Sequence, residues 1–420
     1  MKILYFNPDR GVPVLGDKGA SVHVRSFVTA AARLGHEVVI ACATRGAGNT
    51  PPPARIIELP VTTDPATLSA EAAAHGMSAA NLADPITRRE LARLAHDRTI
   101  NVKLLSVLQR IGFQPDLVYE RHALFSQAGA AIAAQCGVKR LLEVNAPLIE
   151  EQARFRGLHL VEPAQAAERA SYHGADAIIA VSDGVAQHVR RVLGHAAPAK
   201  GPHVHVIANG VDLARYQGNG NGAALRAQMG LGDTTVIGFI GSFKPWHGVD
   251  FLFDVFADLL RVRPNTRLVA VGDGPDLADL RVRAADPDFA GRIILPGRVA
   301  HDDIPDWLAA MDITVAPYHD QPDFYFSPLK IVESLAAARP VVAPALGQIP
   351  SLIAPSVTGM LYPPGNGADC RDALITLIDD PPRRHAMGDA GRRATANWDW
   401  TCIVRRALAL ASSPALEVVR

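Results

Sequence analysis

Residues 324–343 read FYFSPLKIVESLAAARPVVA, and the order of patterns around this stretch indicates the fold. The segment KIVESLAAA has apolar residues at helical spacing, and the apolar run PVVA that follows it predicts a buried strand. Shortly before, DITVAPY predicts another buried strand. A strand, a helix and a second strand in this order form a βαβ unit, which belongs to a parallel sheet.

The same order recurs along nearly the whole chain. At its start, MKILYF precedes a glycine-rich loop, the helical pattern HVRSFVTAAARL and a second apolar run, HEVVIACA. After residue 213, the segment YQGNGNG has the composition of a flexible loop, and the pattern then resumes with TVIGFIGSF. We therefore predict an α/β protein with two doubly wound domains, residues 1–212 and residues 213–395.

Composition excludes several classes of protein. The chain has 42 Lys or Arg and 42 Asp or Glu, which argues against nucleic acid as the main partner, because such binding needs a basic surface. The four cysteines lie far apart without CxxC spacing, so neither a zinc site nor a disulfide framework is expected. No apolar stretch approaches the roughly 20 residues of a membrane span, and the first apolar run is too short for a signal peptide. We expect a reduced, cytoplasmic protein, with peripheral membrane contact left open.

Polar and small residues follow several predicted strands of the first half. Ligands of open parallel sheets bind at the carboxyl ends of strands. The segment GDKGAS leads into a helix, where backbone N–H groups can meet an anion, and YERHALFS and EVNAPL place polar residues directly after strands. An ordinary ion pair is the alternative for one of the three adjacent polar residues in YERHALFS. The candidates of this half are Gly19, Glu120, Arg121, His122, Glu143 and Asn145.

Three loops of the second half carry further candidates. GSFKPWHG offers a lysine and a histidine to phosphate oxygens, and the small residues of VGDGPD allow a ligand to approach closely. The backbone at the end of LPGRV could lie against a flat base. A surface lysine and tight turns are the simpler explanations. The residues concerned are Lys244, His247, Gly272, Gly274, Arg298 and Val299.

Lys330 and Glu333 lie three residues apart, about one helical turn, so both can face one ligand. The predicted helix begins after Ser327, and its free N–H groups attract an anion. The carboxylate of Glu333 can accept two hydrogen bonds from a vicinal diol. An anion site beside a group that binds a diol is what a nucleotide diphosphate requires.

The stretch at residues 324–343 resembles the C-terminal-domain signature of family 4 glycosyltransferases, which are retaining enzymes. GADAIIAVS, VIANGVD, IGSFKPWHGVD, VAVGDGPD, LPGRV and DITVAPY also stand in that family's order. The resemblance implies a GT-B fold, in which two Rossmann-like domains face a central cleft and the second holds a nucleotide-sugar donor. It also implies that no metal is required and that residues 396–420 form a helix crossing back to the first domain, with Trp398 and Trp400 as anchors.

The resemblance assigns roles to residues of the opening stretch. Glu333 matches the second glutamate of the family's E-x7-E motif, which contacts the ribose. Tyr325 stands where that motif has its first glutamate, usually placed near the transferred sugar. The amides of Ser327, Leu329 and Lys330 correspond to the lining of the diphosphate.

At two places this sequence departs from the pattern of the family that it resembles. Ser242 and His247 stand where the family has an arginine and a lysine that bind phosphate. Lys244 is therefore expected to supply the displaced charge, with help from Lys330 or His247. In the first domain, either Arg121 or His122 takes the place of a family histidine. Our candidates for the catalytic groups are Lys244, Arg121 and His122. Those for the acceptor side are Glu120, Glu143 and Asn145.

The implied function is transfer of a hexose, without a cofactor or metal, from a UDP-, GDP- or ADP-linked sugar. The acceptor would be a carbohydrate, a lipid-linked molecule or a natural product, with polysaccharide assembly as the expected setting. An epimerase, phosphorylase or pseudo-glycosyltransferase of the same fold and a non-catalytic sugar-binding protein remain alternatives. A glycosidase fits poorly because no convincing carboxylate pair appears, and a dehydrogenase because no GxGxxG follows the first strand.

Overall fold

The computed structural model describes residues 1–61, 64–194, 201–218, 220–289, 291–321 and 324–412. It contains two compact units. The first combines Met1–Asn209 with the described residues from Trp400 onward, and the second is Gly210–Asp399. The sequence predicted boundaries after residues 212 and 395.

The first unit has a seven-stranded parallel sheet in the order β3-β2-β1-β4-β5-β6-β7. Its strands are β1 (Lys2–Asn7), β2 (Glu37–Cys42), β3 (Arg55–Glu58), β4 (Leu117–Arg121), β5 (Lys139–Val144), β6 (Ala177–Ala180) and β7 (His203–Val206). Its helices before residue 209 are α1 (Gly19–Arg33), α2 (Pro65–Ala74), α3 (Pro85–Arg110), α4 (Ala128–Cys136), α5 (Leu148–Phe155), α6 (Val161–His173) and α7 (Asp183–Leu193).

The second unit has a six-stranded parallel sheet in the order β10-β9-β8-β11-β12-β13. Its strands are β8 (Thr235–Ile240), β9 (Thr266–Val271), β10 (Ile293–Gly297), β11 (Ile313–Val315), β12 (Val341–Pro344) and β13 (Gly359–Tyr362). Its helices are α8 (Gly222–Gln228), α9 (Val249–Val262), α10 (Leu277–Ala284), α11 (Ile304–Ala310), α12 (Leu329–Ala336), α13 (Ile349–Leu352), α14 (Gly367–Asp379) and α15 (Pro381–Ala394). The predicted parallel α/β architecture is therefore confirmed.

The last helix, α16 (Trp400–Ser412), belongs to the first unit. Trp400 and Val404 are buried in one core cluster with Val24 and Phe27 of α1, whereas Trp398 packs in a core of the second unit. The two tryptophans therefore anchor different units. Within the described ranges, no helix is long and apolar enough to cross a membrane, and no cluster of His, Cys, Asp or Glu could hold a metal ion.

Neighbouring residues of one strand enter different cores, because helices cover both faces of the sheet. In β1, Ile3 and Tyr5 pack with α1 and α16, whereas Leu4 and Phe6 pack with α3 and α4. The strand order reverses between β1 and β4 in one sheet and between β8 and β11 in the other. Ligands of such sheets bind at the carboxyl ends of the strands beside these reversals.

Candidate functional site

The loop after β8 brings a glycine against the side chain of Lys330. Gly241, the first residue of this loop, has a φ of 151° and donates its N–H to the carbonyl oxygen of Val271. A Cβ atom at Gly241 would lie 2.8 Å from Lys330 Nζ. The amino group from the first turn of α12 therefore reaches the carboxyl end of β8, beside the reversal of strand order.

Lys330 Nζ is buried and has no hydrogen-bond partner among the described residues. It lies 4.3 Å from the ring centroid of Phe239 and 4.8 Å from that of Tyr318, so cation–π attraction partly replaces lost hydration. Burial lowers the pKa of Lys330 to about 7, although Glu333 favours the charged form. Leaving such a donor unpaired is costly to the fold, so this geometry indicates a binding site for an acceptor group such as a phosphate oxygen.

His247 lies in the loop after β8 but does not supply a positive charge. Its Nδ1 donates to the carbonyl oxygen of Ser242 at 2.5 Å, so the proton of the neutral ring lies on Nδ1. Burial, followed by the charge of Lys330, lowers the pKa of His247 to about 3, so the ring is neutral near pH 7. The expectation that His247 helps as a cation is therefore wrong. His247 and Ser242 shape the loop, and Ser242 Oγ lies 3.1 Å from the same nitrogen.

Lys244 provides the other positive charge of this region. Lys244 and Lys330 are the only lysines between residues 210 and 399 of the sequence. Lys244 is half-buried, and its Nζ lies 4.9 Å from the ring centroid of Trp246. Its charge also lowers the pKa of His247, less strongly than that of Lys330 does. Both lysines therefore act on the same loop, and Lys330 lies closer to the end of β8.

Two predicted glycines are explained by contacts within the protein. A Cβ atom at Gly272 would overlap the carbonyl oxygen of Gly241, and one at Gly274 would overlap that of Phe243. The loops after β8 and β9 thus pack directly on each other, and these glycines face protein backbone, not space for a ligand as predicted. At Gly19, the first residue of α1, a Cβ atom would meet nothing within 4 Å, so this glycine does leave open space.

Glu333 interacts with a histidine that the sequence analysis missed. Its side chain is 17% exposed, and Oε1 lies 3.5 Å from His301 Nε2. Arg215 donates to His301 Nδ1 at 2.6 Å and to its carbonyl oxygen at 2.5 Å, so Nδ1 is an acceptor and Nε2, the atom that faces Glu333, carries a proton. Burial, followed by Glu333, raises the pKa of nearby Tyr216. In the sequence, only the position of His301 shortly after LPGRV could have indicated that it belongs to the site.

The same edge of the second sheet carries the remaining predicted residues, Arg298, Val299, Tyr325, Ser327 and Leu329. Arg298 and Val299 directly follow β10, and Leu329 begins α12, which has no side-chain cap at its N-terminus. Tyr325 is half-buried, with its ring centroid 4.4 Å from that of Phe326. Tyr325, which stands where the family motif has its first carboxylate, is therefore part of an aromatic pair.

Glu143 is the centre of a buried hydrogen-bond network in the first unit. Its carboxylate accepts hydrogen bonds from Tyr119 at 2.5 Å, Asn145 at 2.6 Å, His23 at 2.9 Å and Arg121 at 3.1 Å. Burial opposes ionisation, but His23, Arg121 and the hydrogen bonds outweigh it and lower the pKa of Glu143 to about 2. The structure thus brings together three predicted residues and adds two that sequence reasoning missed.

Glu120 lies apart from this network because it points to the opposite face of β4. Its carboxylate accepts a hydrogen bond from Arg140 Nε at 2.6 Å, and both side chains are fully buried. The prediction that Glu120 lies on the acceptor side is therefore wrong, since a sealed ion pair cannot contact an acceptor. His122 is buried as well, and its Nδ1 has no partner in the described part of the chain. Burial, followed by Arg140, lowers the pKa of His122 to about 3.

A buried histidine on α7 was also missed. His188 lies between Glu150 and Glu168, 3.2 Å from an oxygen of each. Burial opposes its protonation, but the two carboxylates outweigh burial and raise the pKa of His188 to about 9. This imidazolium joins α7 to α5 and α6, with Tyr172 donating to the same Glu168.

Comparison with known protein families and sequences shows similarity to sugar transferases. The family described as "Glycosyltransferase Family 4" matches residues 18–215, and that described as "Glycosyl transferases group 1" matches residues 234–380. A D-inositol 3-phosphate glycosyltransferase of Kineococcus radiotolerans is 31% identical over 309 residues, which cover 68% of each chain.

Two solved structures share the fold. Sucrose-phosphate synthase from Thermosynechococcus elongatus gives a TM-score of 0.70 at 19% identity, with 98% of both chains covered. HepE of Anabaena, in complex with UDP, gives a TM-score of 0.68 at 19% identity, with 98% of this chain and 100% of that chain covered. At this level of identity the similarity concerns the fold alone.

Proposed function

The chain belongs to glycosyltransferase family 4 and uses a nucleotide-sugar donor, and on this basis we propose that it transfers a hexose with retention of configuration and without a metal ion. The observation that carries the proposal is the buried amine of Lys330, which has no hydrogen-bond partner among the described residues. It lies at the carboxyl end of β8, where doubly wound sheets bind ligands. Lys330 is thus the main cation for the donor diphosphate.

Stabilising the leaving group is the main electrostatic task of this reaction. The diphosphate gains negative charge as it departs, and fixed cations and N–H groups aimed at it lower the barrier. Lys330 supplies one charge, Lys244 a second, and the uncapped N-terminus of α12 a partial positive charge. Because the protein can meet this demand with its own groups, the proposed reaction requires no metal ion.

In the proposed reaction the acceptor oxygen attacks the face from which the diphosphate leaves, which retains the configuration of the anomeric carbon. The bond from the anomeric carbon to the phosphate oxygen breaks, and a bond to the acceptor oxygen forms. The acceptor proton passes to the leaving phosphate oxygen, so no separate general base is needed. This route is compatible with Tyr325 at the first motif position, because it requires no carboxylate there.

Glu333 binds the donor ribose in this proposal. The substitution Glu333→Gln keeps the shape but removes the charge, and we expect nucleotide affinity to fall about 10- to 100-fold, since a hydrogen bond to a charged group contributes about 1.5–3 kcal/mol. Calorimetric titration with UDP and GDP measures this change. Asp302→Asn, at a nearby side chain that is 83% exposed, serves as the control and should bind normally. Equal affinities for the wild type and Glu333→Gln would place the ribose elsewhere.

The donor base, the acceptor and the cellular setting are parts of the same proposal. UDP-, GDP- and ADP-sugars are the candidate donors. Arg121 and Asn145, held by Glu143, are the acceptor-side groups of the first unit. A carbohydrate, lipid-linked or natural-product acceptor fits polysaccharide assembly in the cytoplasm, with peripheral membrane contact.

Product analysis tests the proposal against the alternatives of an epimerase or a pseudo-glycosyltransferase, because Tyr325 at the motif position is compatible with these reactions as well as with transfer. The protein is incubated with UDP-, GDP- and ADP-hexoses and sugar acceptors in the presence of EDTA. We expect release of the nucleoside diphosphate and, by proton NMR, a new glycoside with the anomeric configuration of the donor. An altered donor sugar without a glycoside, an inverted product, or turnover abolished by EDTA would contradict the proposal.

A further inference from the structure

Two arginines on α3 lie on one face of the helix. Arg89 and Arg93 are four residues apart, and such residues are neighbours on a helix surface. Burial, followed by the charges of Arg89 and Arg156, lowers the pKa of Arg93, whereas Asp9 and Glu90 act in the opposite direction. Arg89, Arg93 and Arg156, here called the arginine cluster, therefore lie within electrostatic reach of one another.

Arg89 has unsatisfied donors in this cluster. Its Nε and Nη2 atoms are buried and have no hydrogen-bond partner among the described residues. A guanidinium group normally engages several acceptors, and leaving buried donors unpaired destabilises a protein. The fork formed by Nε and Nη2 matches two oxygens of a phosphate or a carboxylate.

The chain segment that follows α5 is fastened to α3, and this brings Arg156 to the cluster. The carboxylate of Glu90 accepts hydrogen bonds from the backbone N–H groups of His159 at 3.1 Å and Leu160 at 2.9 Å. A Cβ atom at Gly157 would lie 2.8 Å from Ile86 Cδ1. Glu90 thus accepts hydrogen bonds from these backbone groups, and its charge acts on Arg93 less strongly than that of Asp9 does.

The other two carboxylates near the cluster are Asp9 and Glu151. Asp9 Oδ1 accepts a hydrogen bond from the N–H of Gly11 at 2.7 Å, and Glu151 contacts Arg156 at 3.4 Å in an exposed, weak pair. Asp9 follows the carboxyl end of β1, so the cluster lies near the edge where such sheets bind ligands.

We propose that the arginine cluster binds an anionic group, a phosphate or a carboxylate, of the sugar acceptor. The inference rests on the proposed transferase function and specifies the acceptor class. Arg89 donates through its buried fork, and Arg93 and Arg156 add charge. The anion comes from a free sugar phosphate or from a lipid headgroup, and the recognition chemistry is the same for both.

Paired acceptors test this inference in the full chain. Transfer from the preferred donor is measured with three sets of acceptors, each containing anionic and neutral members. Glucose 6-phosphate and glucuronate are compared with glucose, glycerol 3-phosphate with glycerol, and myo-inositol 1-phosphate with myo-inositol. Vesicles of phosphatidylglycerol and of phosphatidylcholine provide the lipid arm, with sedimentation as the binding readout. We expect the anionic member to be preferred in at least one pair, and Arg89→Ala to raise its KM about 10- to 100-fold with little change in kcat.

Control variants separate this role from a structural one. Arg88→Ala removes the same charge at an exposed neighbouring position and should leave KM unchanged, and Arg89→Lys should recover part of the affinity. Nucleotide affinity should be the same in all variants. Either of two results would overturn the inference. One is equal use of neutral and anionic acceptors together with equal binding to both kinds of vesicle, and the other is an equal effect of Arg89→Ala and Arg88→Ala on KM. Absence of transfer from every donor would instead contradict the proposed function.

Discussion

Replacing Lys330 with methionine is expected to lower kcat about 100- to 1,000-fold, the usual effect of removing one fixed group that stabilises transition-state charge. The methionine side chain fits between Phe239 and Tyr318, because it is apolar, flexible and favourable beside aromatic rings. The variant should therefore fold normally and melt at or above the wild-type temperature. Steady-state release of the nucleoside diphosphate and a thermal unfolding curve measure both properties.

Two further substitutions define the role of Lys330. Lys330→Arg keeps the charge but not the compact ammonium shape beside Gly241, so we expect it to restore activity only in part. Arg261→Met removes an exposed cation of the same unit and should not change kcat. A fully active Lys330→Met variant together with an inactive Lys244→Met variant would assign the diphosphate to Lys244.

Replacing Glu143 with alanine is expected to lower the free energy of unfolding by about 3–5 kcal/mol, because it leaves the buried charge of Arg121 uncompensated and three further side chains without their acceptor. Urea unfolding followed by circular dichroism measures the change. Glu143→Gln keeps the shape and should cost less. Glu37→Ala, at an exposed carboxylate, is the control and should cost less than about 1 kcal/mol.

The pH dependence of this effect follows from the pKa of Glu143. The folded value of about 2 lies below the ordinary value of 4.5, so the stabilisation is present above about pH 4.5 and is lost as the pH falls towards 2. The stabilities of the wild type and Glu143→Ala should therefore converge in acid. A difference that stays constant from pH 7 to pH 3 would show that packing, not charge, accounts for the loss.

The sequence predicted the fold because alternating strands and helices leave a strong periodic pattern. It also predicted that Lys330 and Glu333 face one ligand, but the structure modifies their relation. Lys330 reaches Gly241 at the end of β8, whereas Glu333 faces His301. A spacing of one helical turn determines only where the two side chains leave the helix. It does not determine where the amine at the end of the long Lys330 side chain lies.

The remaining errors concern information that a local pattern does not contain. Glu120 and Glu143 both follow apolar residues near strand ends. Glu120, however, forms a buried ion pair with Arg140, whereas Glu143 belongs to a polar network. The partners are distant in sequence: His23 is 120 residues from Glu143. Loop packing likewise accounts for Gly272, since the backbone that it touches belongs to another loop.

Proton uptake on donor binding tests the central claim most directly. With its pKa lowered to about 7, the Lys330 amine is mostly neutral at pH 8 in the free protein, and a bound diphosphate should restore its charge. Calorimetric titration with a nucleotide sugar at pH 8, in buffers of different ionisation enthalpy, reports the number of protons taken up. We expect close to one proton per bound donor in the wild type and none in Lys330→Met. Tight donor binding without proton uptake, or equal uptake by both proteins, would contradict the assignment of Lys330 to the diphosphate.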